Sequence, residues 1–422
     1  MKIIADLHIH SKYSRACSRD LNIKNLSLWA DKKGINILGT GDFTHPQWLA
    51  SLKESLVESE PGLYRVKDSQ SKVYFVLSTE LASIYKQGDK VRRVHNLVYA
   101  PSFASVDKFI KLLETRKVNL KSDGRPIMGV SCVDLIKICK EAHDSMELVP
   151  AHIWTPHFGV LGSLSGFDSL QECYGDMTKH ILAVETGLSS NPEMNWKVAE
   201  LSNISLVSNS DAHSLRKLGR EANVFEIKEK ALSYAEIMRV IHEHKPTEFV
   251  ETIEFFPEEG KYHLDGHADC SFSCLPEQTK QLGGICPICG KKLLRGVMHR
   301  VSDLSLISNT KTKSDTAHPY LIPFRSIIPL EEIIAETFGV GTASKKVQTQ
   351  YEAMVAEISE FDLLLNTNQL TLERLSSKEI AESVMRVRNG QVHITGGYDG
   401  VFGKIQIYSQ QEREIMKLKP KR

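Results

Sequence analysis

The sequence predicts an α/β fold, because strand-like and helix-like patterns alternate through roughly the first 255 residues. Eight strand-like runs in this part favour a largely parallel sheet or a closed barrel. At about 150 residues per domain, a chain of 422 residues has room for two or three domains. The periodic pattern stops near Pro257, where a cysteine-rich segment and then a mainly helical region begin.

The strand-like runs are short, apolar and rich in β-branched residues. They are Ile3–His10, Ile35–Gly39, Val73–Leu77, Asn96–Tyr99, Leu148–Ala151, Ile181–Glu185, Ser205–Ser208 and Val224–Ile227. Helical periodicity lies between several of them, at Asn25–Lys33, Val106–Arg116, Cys132–Ala142, Glu193–Ser202 and Tyr234–Glu243. The order of these segments predicts repeated strand–helix units.

The chain beyond the alternating pattern divides into two regions of different character. Residues 256–305 have little periodicity and contain four clustered cysteines, which is typical of a small domain held by a metal ion. Residues 306–422 are mainly helical in pattern, with Leu330–Thr337 and Lys345–Glu357 as predicted helices, and end in a basic tail, Lys417–Arg422, that we expect to be mobile. We therefore predict domains at 1–255, 256–305 and 306–422.

The composition excludes several classes of protein. An apolar fraction of 41% and a charged fraction of 25% are those of a globular chain, which argues against wholesale disorder. No apolar run approaches the roughly 18 residues that span a membrane, and Met1–Asp6 lacks the apolar core of a signal peptide, so we expect a cytoplasmic protein. The net charge of +1 excludes a uniformly basic nucleic-acid-coating protein but not a local basic face.

Acidic and histidine residues follow the first strand-like run at a spacing of two. Asp6, His8 and His10 project to one face of an extended chain, whereas Leu7 and Ile9 face the packing. Two imidazoles at the mouth of a barrel can chelate one metal ion. Taken alone, however, this spacing is more often formed by ordinary polar residues than by a metal site.

The same residue types recur where later strand-like runs begin or end. They are Asp42 and His45, Glu80, His95, His152, and the pair Asp211 and His213. Carboxylates and imidazoles that converge from several strand ends are the ligands of a multinuclear hydrolytic site, in which a shared carboxylate bridges two ions about 4 Å apart. The alternative, a set of unrelated polar loop residues, explains this repetition less well.

Residues 1–250 resemble the PHP (polymerase and histidinol phosphatase) superfamily. His8 and His10 match its first motif, Glu80 its bridging carboxylate, His152 a later histidine, and Asp211 with His213 its last motif. The resemblance implies a distorted (βα)7 barrel that binds two or three divalent ions (Zn, Mg or Mn) and cleaves phosphoesters. It also implies that these six residues are catalytic.

The sequence departs from the superfamily pattern at two positions. The resemblance assigns Asp42 to the second motif, but the residue after it is not the usual histidine, so His45 is the alternative ligand. Arg15–Ala16 stands where an acidic or histidine ligand is common in the superfamily. His95 is our candidate for the third metal position, and His157 is a weaker one.

A second group of metal-binding residues lies in the cysteine-rich segment. Cys286 and Cys289 form a CxxC knuckle, and His267 and Cys270 form an HxxC pair upstream of it. Four such ligands suit one structural zinc ion, with Cys274 as the alternative fourth ligand. A redox dithiol is the other interpretation, which the second pair of ligands nearby disfavours.

Three short basic groups are predicted to contact a nucleic-acid backbone. One follows the zinc knuckle, one opens a helix after a glycine-rich turn, and one follows the last metal motif. In that order they are Lys291, Lys292, Arg295 and Arg300; Lys345 and Lys346; and Arg216, Lys217 and Arg220. The ordinary interpretations of these groups are a solvated basic face and a plain turn between helices.

Over essentially the whole chain, the order of barrel, zinc module and helical region is similar to that of DNA repair endonucleases of the PHP superfamily. Supporting segments are Gly39–Pro46, Ser210–Asn223, Gly284–Gly290 and the glycine-rich Gly396–Gly403. The resemblance implies a cut 5′ to a deaminated base (uracil, hypoxanthine or xanthine) or an abasic site, with DNA carrying such lesions as the partner. Three alternatives stay open: a phosphatase for a small phosphomonoester, a nuclease for another nucleic-acid structure, and a binding protein with a degenerate barrel.

Overall fold

A computed structural model describes residues 1–311 and 321–418 of the chain. The chain forms two compact units: the first is Met1–Asp31, Ile35–Glu254 and Arg300–Phe324, and the second is Lys32–Gly34, Phe255–His299 and Arg325–Arg422. Residues 312–320 and 419–422, and with them most of the predicted basic tail, lie outside the described residues. The domain boundaries that we place at 255 and 305 stay predictions.

The first part of the chain alternates strands and helices. The strands are β1 (Lys2–Asp6), β2 (Ile37–Gly39), β3 (Leu56–Glu60), β4 (Leu63–Val66), β5 (Tyr74–Gln87), β6 (Lys90–Ala100), β7 (Ile127–Met128), β8 (Glu147–Pro150), β9 (Ala183–Glu185), β10 (Ser205–Val207), β11 (Ala222–Glu226) and β12 (Phe249–Glu254). The helices are α1 (Ile23–Lys33), α2 (Pro46–Ser55), α3 (Phe103–Thr115), α4 (Cys132–Ala142), α5 (Leu170–Tyr174), α6 (Pro192–Asn195) and α7 (Tyr234–Glu243). The protein therefore has a mixed α/β fold, as predicted.

The main sheet is mixed rather than largely parallel. β1 pairs with β2, and β2 with β5, in parallel register, but β1 pairs with β11, and β11 with β12, in antiparallel register. β5 and β6 form a long antiparallel hairpin, because the chain reverses at Gly88 and Asp89, where Gly88 has a φ of 60°. So short a reversal leaves no room for the helix that a parallel crossover needs. The expectation of a largely parallel sheet is wrong at this hairpin.

Most of the predicted helices are present. α1, α3, α4 and α7 overlap the predicted segments, and three of them begin after a serine whose side chain accepts a backbone N–H (Ser102, Ser131 and Ser233). The predicted helix Glu193–Ser202 is interrupted instead. α6 stops at Asn195, and Val198 has an extended backbone with a φ of −105° and a ψ of 108°.

The apolar residues at alternate positions of β1 lie in the core of the first unit. They pack there together with Val76 of β5 and Phe225 of β11. Because side chains alternate along an extended chain, Asp6, His8 and His10 face the other way, and all three are buried. A packed core thus fixes the strand that carries the first predicted metal ligands.

The rest of the chain combines short strands with helices. The strands are β13 (Asp265–His267), β14 (Phe272–Cys274), β15 (Phe324–Ser326), β16 (His393–Thr395) and β17 (Lys404–Gln406). The helices are α8 (Pro276–Gln281), α9 (Val297–Lys311), α10 (Leu330–Phe338), α11 (Lys345–Val355), α12 (Glu360–Leu365), α13 (Gln369–Leu375), α14 (Lys378–Arg388) and α15 (Gln410–Leu418). α10 and α11 confirm the two predicted helices of a mainly helical C-terminal region. Within residues 1–311 and 321–418, no helix is both long and apolar enough to cross a membrane.

Candidate metal centre

Four side chains that the sequence predicts as metal ligands lie close together in the first unit. His8 and His10 follow β1, Glu80 lies in β5, and Asp211 follows β10. Their ligand atoms all lie within 4.8 Å of one another. Nε2 of His10 is 3.0 Å from Oδ1 of Asp211 and 3.2 Å from Oε2 of Glu80. Two imidazoles and two carboxylates at this spacing can hold one divalent ion, and we call them the first ligand group.

Glu80 also belongs to a second ligand group, with His95 of β6 and His152 after β8. Oε1 of Glu80 is 2.7 Å from Nδ1 of His95 and 3.0 Å from Nε2 of His152. Its other oxygen, Oε2, faces His8 and His10 at 3.6 and 3.2 Å. One carboxylate thus joins the two groups, which is the arrangement that a pair of bridged ions requires.

The environment of His8 shows that these residues fit a metal ion. Its Nε2 is buried without a hydrogen-bond partner and lies 3.5 Å from Oδ1 of Asp211. A buried polar atom without a partner costs roughly 1–3 kcal/mol, and an ion between the imidazole and the carboxylates would satisfy it. The donors in both groups are nitrogen and oxygen atoms, which suit zinc, manganese or magnesium.

Burial and charge act against each other on the ionisable ligands. Burial raises the pKa of a carboxyl, yet His95 and Arg125 hold the pKa of Glu80 well below its usual value. In the same way, His8 and His10 lower the pKa of Asp211 against the effect of burial. Burial lowers the pKa of His95 to about 4, and Glu80 offsets only part of this effect. Ionised carboxylates and a neutral imidazole are the forms that bind metal.

A carboxylate that the sequence analysis missed contacts the imidazole of His8 on the side away from the first ligand group. Glu185, at the end of β9, is buried, and its Oε1 and Oε2 lie 3.0 and 3.1 Å from Nδ1 of His8. With an acceptor on that side, Nδ1 of His8 donates its proton to Glu185, and Nε2 is the atom that faces the first ligand group. Glu185 closes a predicted strand, as several predicted ligands do, and that position is the signal that could have found it.

Arg125 is the second residue that the sequence patterns do not indicate. Its Nη1 donates to Oε2 of Glu80 at 3.0 Å, and 25% of its side chain remains exposed. Burial lowers the pKa of Arg125, but Glu80 outweighs that effect and raises it above the usual value. Arg125 lies in the loop before β7, where no periodic pattern marks it. A positive charge therefore borders both ligand groups.

Asp42 and His45 lie outside both ligand groups. Oδ1 of Asp42 is 3.0 Å from Nδ1 of His10, and its Oδ2 accepts hydrogen bonds from the backbone N–H and the hydroxyl of Ser11. His45 stacks on Tyr13, with 4.4 Å between the ring centroids. The structure therefore does not bring the predicted second-motif residues into either ligand group.

His213 borders the first ligand group without joining it. Its Nδ1 is 2.8 Å from the carbonyl oxygen of Asp211, so Nδ1 is the donor and Nε2 keeps a lone pair. Its ring centroid is 4.6 Å from that of His10, and 30% of its side chain is exposed. This position is on the solvent-accessible side of the group. His157 is exposed and belongs to neither group.

Three residues of the site have left-handed backbone conformations that residues other than glycine rarely adopt. Asp42 has a φ of 50°, His152 of 30° and Asp211 of 46°. Gly187 leaves room for the conformation of His152, because a Cβ at position 187 would lie 2.4 Å from Cβ of His152. Such conformations cost about 1–3 kcal/mol each, so the surrounding packing holds these side chains in place against that cost.

The second unit contains a third ligand group, whose atoms lie within 4.8 Å of one another. Its members are His267, Cys270, Cys286 and Cys289. Sγ of Cys289 is 3.7 Å from Nδ1 of His267, and Gly290, with a φ of 73°, ends the turn of the knuckle. Cys274 lies outside this group, with its Sγ 3.2 Å from the hydroxyl of Thr279.

The predicted nucleic-acid-binding residues have different environments. Arg220 donates from Nε to the carbonyl of Ser210 at 2.8 Å, and Arg300 donates to the carbonyls of Leu161 and Phe167. These two guanidinium groups hold loop backbone in place. Nζ of Lys346 lies 3.6 Å from the ring centroid of Phe338. The side chain of Lys217 is partly buried. The remaining side chains are exposed: Arg216, Lys291, Lys292, Arg295 and Lys345.

Two family models match parts of the chain. The model described as PHP-associated matches residues 193–246, and the model described as the MJ0043 C-terminal domain matches residues 329–391. The uncharacterized protein YqxK of Bacillus subtilis is 27% identical over 96% of this chain and 99% of its own length. The uncharacterized protein MJ0043 of Methanocaldococcus jannaschii is 31% identical, and the match spans 58% of this chain but 30% of that relative.

Two solved structures match the whole chain. The lesion-specific endonuclease PfuEndoQ of Pyrococcus furiosus has 29% sequence identity and a TM-score of 0.84, with coverage of 100% of this chain and 98% of its own. The chain resembles endonuclease Q of the PHP superfamily. A second endonuclease Q structure, in complex with a 27-mer duplex that carries an abasic lesion, has 29% identity and a TM-score of 0.82 over 100% and 99% of the two chains. The likeness to endonuclease Q and the two ligand groups identify this protein as a metal-dependent hydrolase.

Proposed function

We propose that this protein is a DNA repair endonuclease that hydrolyses the phosphodiester 5′ to a deaminated base (uracil, hypoxanthine or xanthine) or to an abasic site. The observation that carries the proposal is the pair of ligand groups that share Glu80, in a chain that resembles endonuclease Q from end to end. The abasic duplex bound in the second endonuclease Q structure supports damaged DNA as the substrate of this chain as well.

The two ligand groups are proposed to hold two divalent ions within a distorted (βα)7 barrel formed by residues 1–255. Each group would hold one ion, and Glu80 is a member of both groups. When bound, such ions lower the pKa of a water molecule and neutralise negative charge on a phosphodiester. We propose two ions rather than three, because Asp42 and His45 lie outside both groups.

Arg125 is proposed to orient the phosphodiester that is cut. Its guanidinium is held beside Glu80 at 3.0 Å and is partly exposed, so a phosphate that approaches the ligand groups meets it. The planar fork of N–H donors suits two phosphate oxygens at once. Charge that develops on those oxygens in the transition state would be stabilised by donors that are already in place.

His213 is proposed to accept a proton from the attacking water molecule. Burial lowers the pKa of His213 below its usual value, so the imidazole is neutral at pH 7. The hydrogen bond from Nδ1 to the carbonyl of Asp211 leaves Nε2 as the basic atom. A neutral imidazole at the solvent-accessible side of a metal site is suited to general-base catalysis.

The part of the chain after residue 255 is proposed to bind DNA. Residues 256–305 form a zinc module in which one structural ion is held by the third ligand group, and residues 306–422 form a helical DNA-binding region. Lysine and arginine side chains that are at least partly exposed are proposed to supply contacts with phosphates. In the second unit these are Lys291, Lys292, Arg295, Lys345 and Lys346, and in the first unit they are Arg216 and Lys217.

A nicking assay tests this function. End-labelled duplexes that differ at one position (uracil, hypoxanthine, xanthine, an abasic site or the normal base) are incubated with the protein and Mn²⁺ or Mg²⁺. We expect a single cut immediately 5′ to the lesion and no cut in the undamaged duplex. Asp211→Ala is the matched control, which should bind the duplex without cutting it.

Two outcomes would contradict the proposal. Hydrolysis of a chromogenic phosphomonoester without any cut in DNA would indicate a small-molecule phosphatase. Cutting of RNA or of flap structures regardless of lesions would indicate a nuclease for another nucleic-acid structure.

A further inference from the structure

We infer that Glu185 is a positioning residue for both metal positions: one buried carboxylate fixes His8 of the first ligand group and His152 of the second. The inference rests on the metal binding proposed above. It adds a residue that lies in no predicted ligand motif and belongs to neither ligand group.

The contact with His8 is made through the side chain. Nδ1 of His8 lies 3.0 Å from Oε1 and 3.1 Å from Oε2 of Glu185, and both side chains are fully buried. The two oxygens restrict rotation of the imidazole and keep its proton on Nδ1. Nε2 is then directed at the first ligand group, where it can bind an ion. An outer carboxylate of this kind raises the basicity of a metal-binding imidazole.

The contact with His152 is made through the backbone. The N–H of His152 donates to Oε2 of Glu185 at 2.9 Å. His152 has a left-handed backbone with a φ of 30°, which is unfavourable without outside support. Glu185 supplies that support, and Gly187, two residues later on the same strand end, leaves the space for Cβ of His152. The imidazole is thereby presented to Glu80, with Nε2 of His152 3.0 Å from Oε1 of Glu80.

Glu185 is itself held in place by a buried amide. Nδ2 of Asn209 donates to Oε1 of Glu185 at 2.9 Å, and Oδ1 of Asn209 accepts the N–H of Leu7 at 2.8 Å. Leu7 immediately precedes His8 in the chain. The carboxylate, the amide and the backbone before His8 therefore form one connected network, so a change at Glu185 is transmitted to two ligands that come from different strand ends.

Asp42 offers a contrast within the same site. It contacts Nδ1 of His10 at 3.0 Å and, through its other oxygen, the backbone and side chain of Ser11. It has no contact with the second ligand group. Removal of the charge at Asp42 should therefore affect one metal position, whereas removal of the charge at Glu185 should affect both.

A titration with Mn²⁺ followed by electron paramagnetic resonance tests the inference on the full chain. Mn²⁺ is the suitable probe, because a cysteine-rich group binds it poorly. We expect the parent protein to bind two ions, and Glu185→Gln to bind both about 10–100-fold more weakly. Asp42→Asn should bind one of the two more weakly. Parent-like affinity of Glu185→Gln for either ion would overturn the inference.

Glu254→Gln is the matched control for the loss of a buried carboxylate. Glu254 is buried in β12 and contacts Thr186 and Thr252 rather than a ligand, so this variant should bind both ions as the parent does. Two outcomes would attribute the weaker Mn²⁺ binding of Glu185→Gln to general destabilisation and so overturn the inference. One is an equal loss of affinity in Glu254→Gln. The other is a lowered melting temperature of metal-free Glu185→Gln. Failure of the parent itself to bind Mn²⁺ would instead refute the proposed metal centre.

Discussion

Nδ1 of His10 lies 3.0 Å from Oδ1 of Asp42, on the side of the ring opposite to the ligand group. The same relationship joins His8 and Glu185. Imidazoles that bind metals usually donate their remaining N–H to a carboxylate or carbonyl, which fixes the tautomer and the orientation of the ring. The two histidines of the first motif are thus oriented by carboxylates from two different strand ends before any ion binds.

The position of Asp42 leads to a prediction about metal dependence. If Asp42 orients His10 and does not bind an ion, Asp42→Asn keeps two bound ions at saturating Mn²⁺ and needs roughly tenfold more metal for half-maximal nicking. The nicking rate measured against Mn²⁺ concentration, together with the number of ions bound at saturation, checks this. Loss of one ion at saturation would show that Asp42 is a ligand, as the sequence pattern suggests.

Replacement of Arg125 should slow the chemical step. Arg125→Ala removes a fixed positive charge from the place where the phosphate is proposed to bind, and donors of this kind contribute about 10²–10³ to the rate. We expect that loss in single-turnover nicking of an abasic duplex, with Mn²⁺ binding retained. Arg125→Lys should restore only part of the rate, since an ammonium lacks the planar fork. An unchanged single-turnover rate in Arg125→Ala would contradict the assigned role.

The zinc content of cysteine variants should distinguish Cys270 from Cys274. Cys270→Ser removes a member of the third ligand group and should lower the bound zinc by about one ion per chain. Cys274→Ser should keep the ion, because the thiol contacts Thr279 and lies outside that group. Metal analysis of the purified variants measures this directly. Zinc lost from Cys274→Ser and kept in Cys270→Ser would reverse the assignment of the fourth ligand.

Stability should fall in mild acid because of His263. Burial lowers the pKa of this imidazole to about 4, and its Nδ1 has no hydrogen-bond partner among the described residues. Above pH 6.5 the group is neutral in both the folded and the unfolded chain, so it makes no difference to stability. As the pH falls from 6.5 toward 4, the unfolded chain takes up a proton that the folded chain does not, and folding loses free energy. Between pH 7.5 and pH 5 we expect a loss of about 2 kcal/mol from this group.

Urea unfolding of the parent and of His263→Gln at those two pH values checks the effect. The variant should be less sensitive to pH by that amount, because glutamine does not titrate. The same pH dependence in both proteins would show that His263 does not contribute.

The residues that the sequence analysis found are those whose position follows from a repeating backbone. His8 and His10 could be placed on one face because side chains alternate along an extended chain, and His152 because it follows a strand. Glu80 was predicted at a strand end and lies instead inside the longer strand β5. Asp42 could not be distinguished in this way from the members of the two ligand groups. It also stands at a strand end, and only its φ of 50° and its contact with His10 show which way the carboxylate faces.

The missed residues and the sheet register have related explanations. Glu185 is a carboxylate at a predicted strand end, but its role depends on two partners, His8 and the backbone of His152, that are far away in sequence. Arg125 comes from a loop, where no periodicity constrains the side chain. The antiparallel pairing of β5 and β6 follows from a reversal at Gly88, a local feature that the overall alternation of strands and helices conceals.

Burial of the two ligand groups also has a kinetic consequence. The side chains of His8, His10 and Glu80 have no exposed surface, whereas Asp211 is 23% exposed and His213 is 30% exposed. In the part of the chain that the structure describes, the first ligand group is therefore most accessible from the side of Asp211, His213 and Arg125. We therefore expect an ion held by these buried side chains to exchange slowly, because exchange requires local opening of the structure. The metal content of the purified protein should then reflect the ions present when the chain folded more than those in the assay buffer.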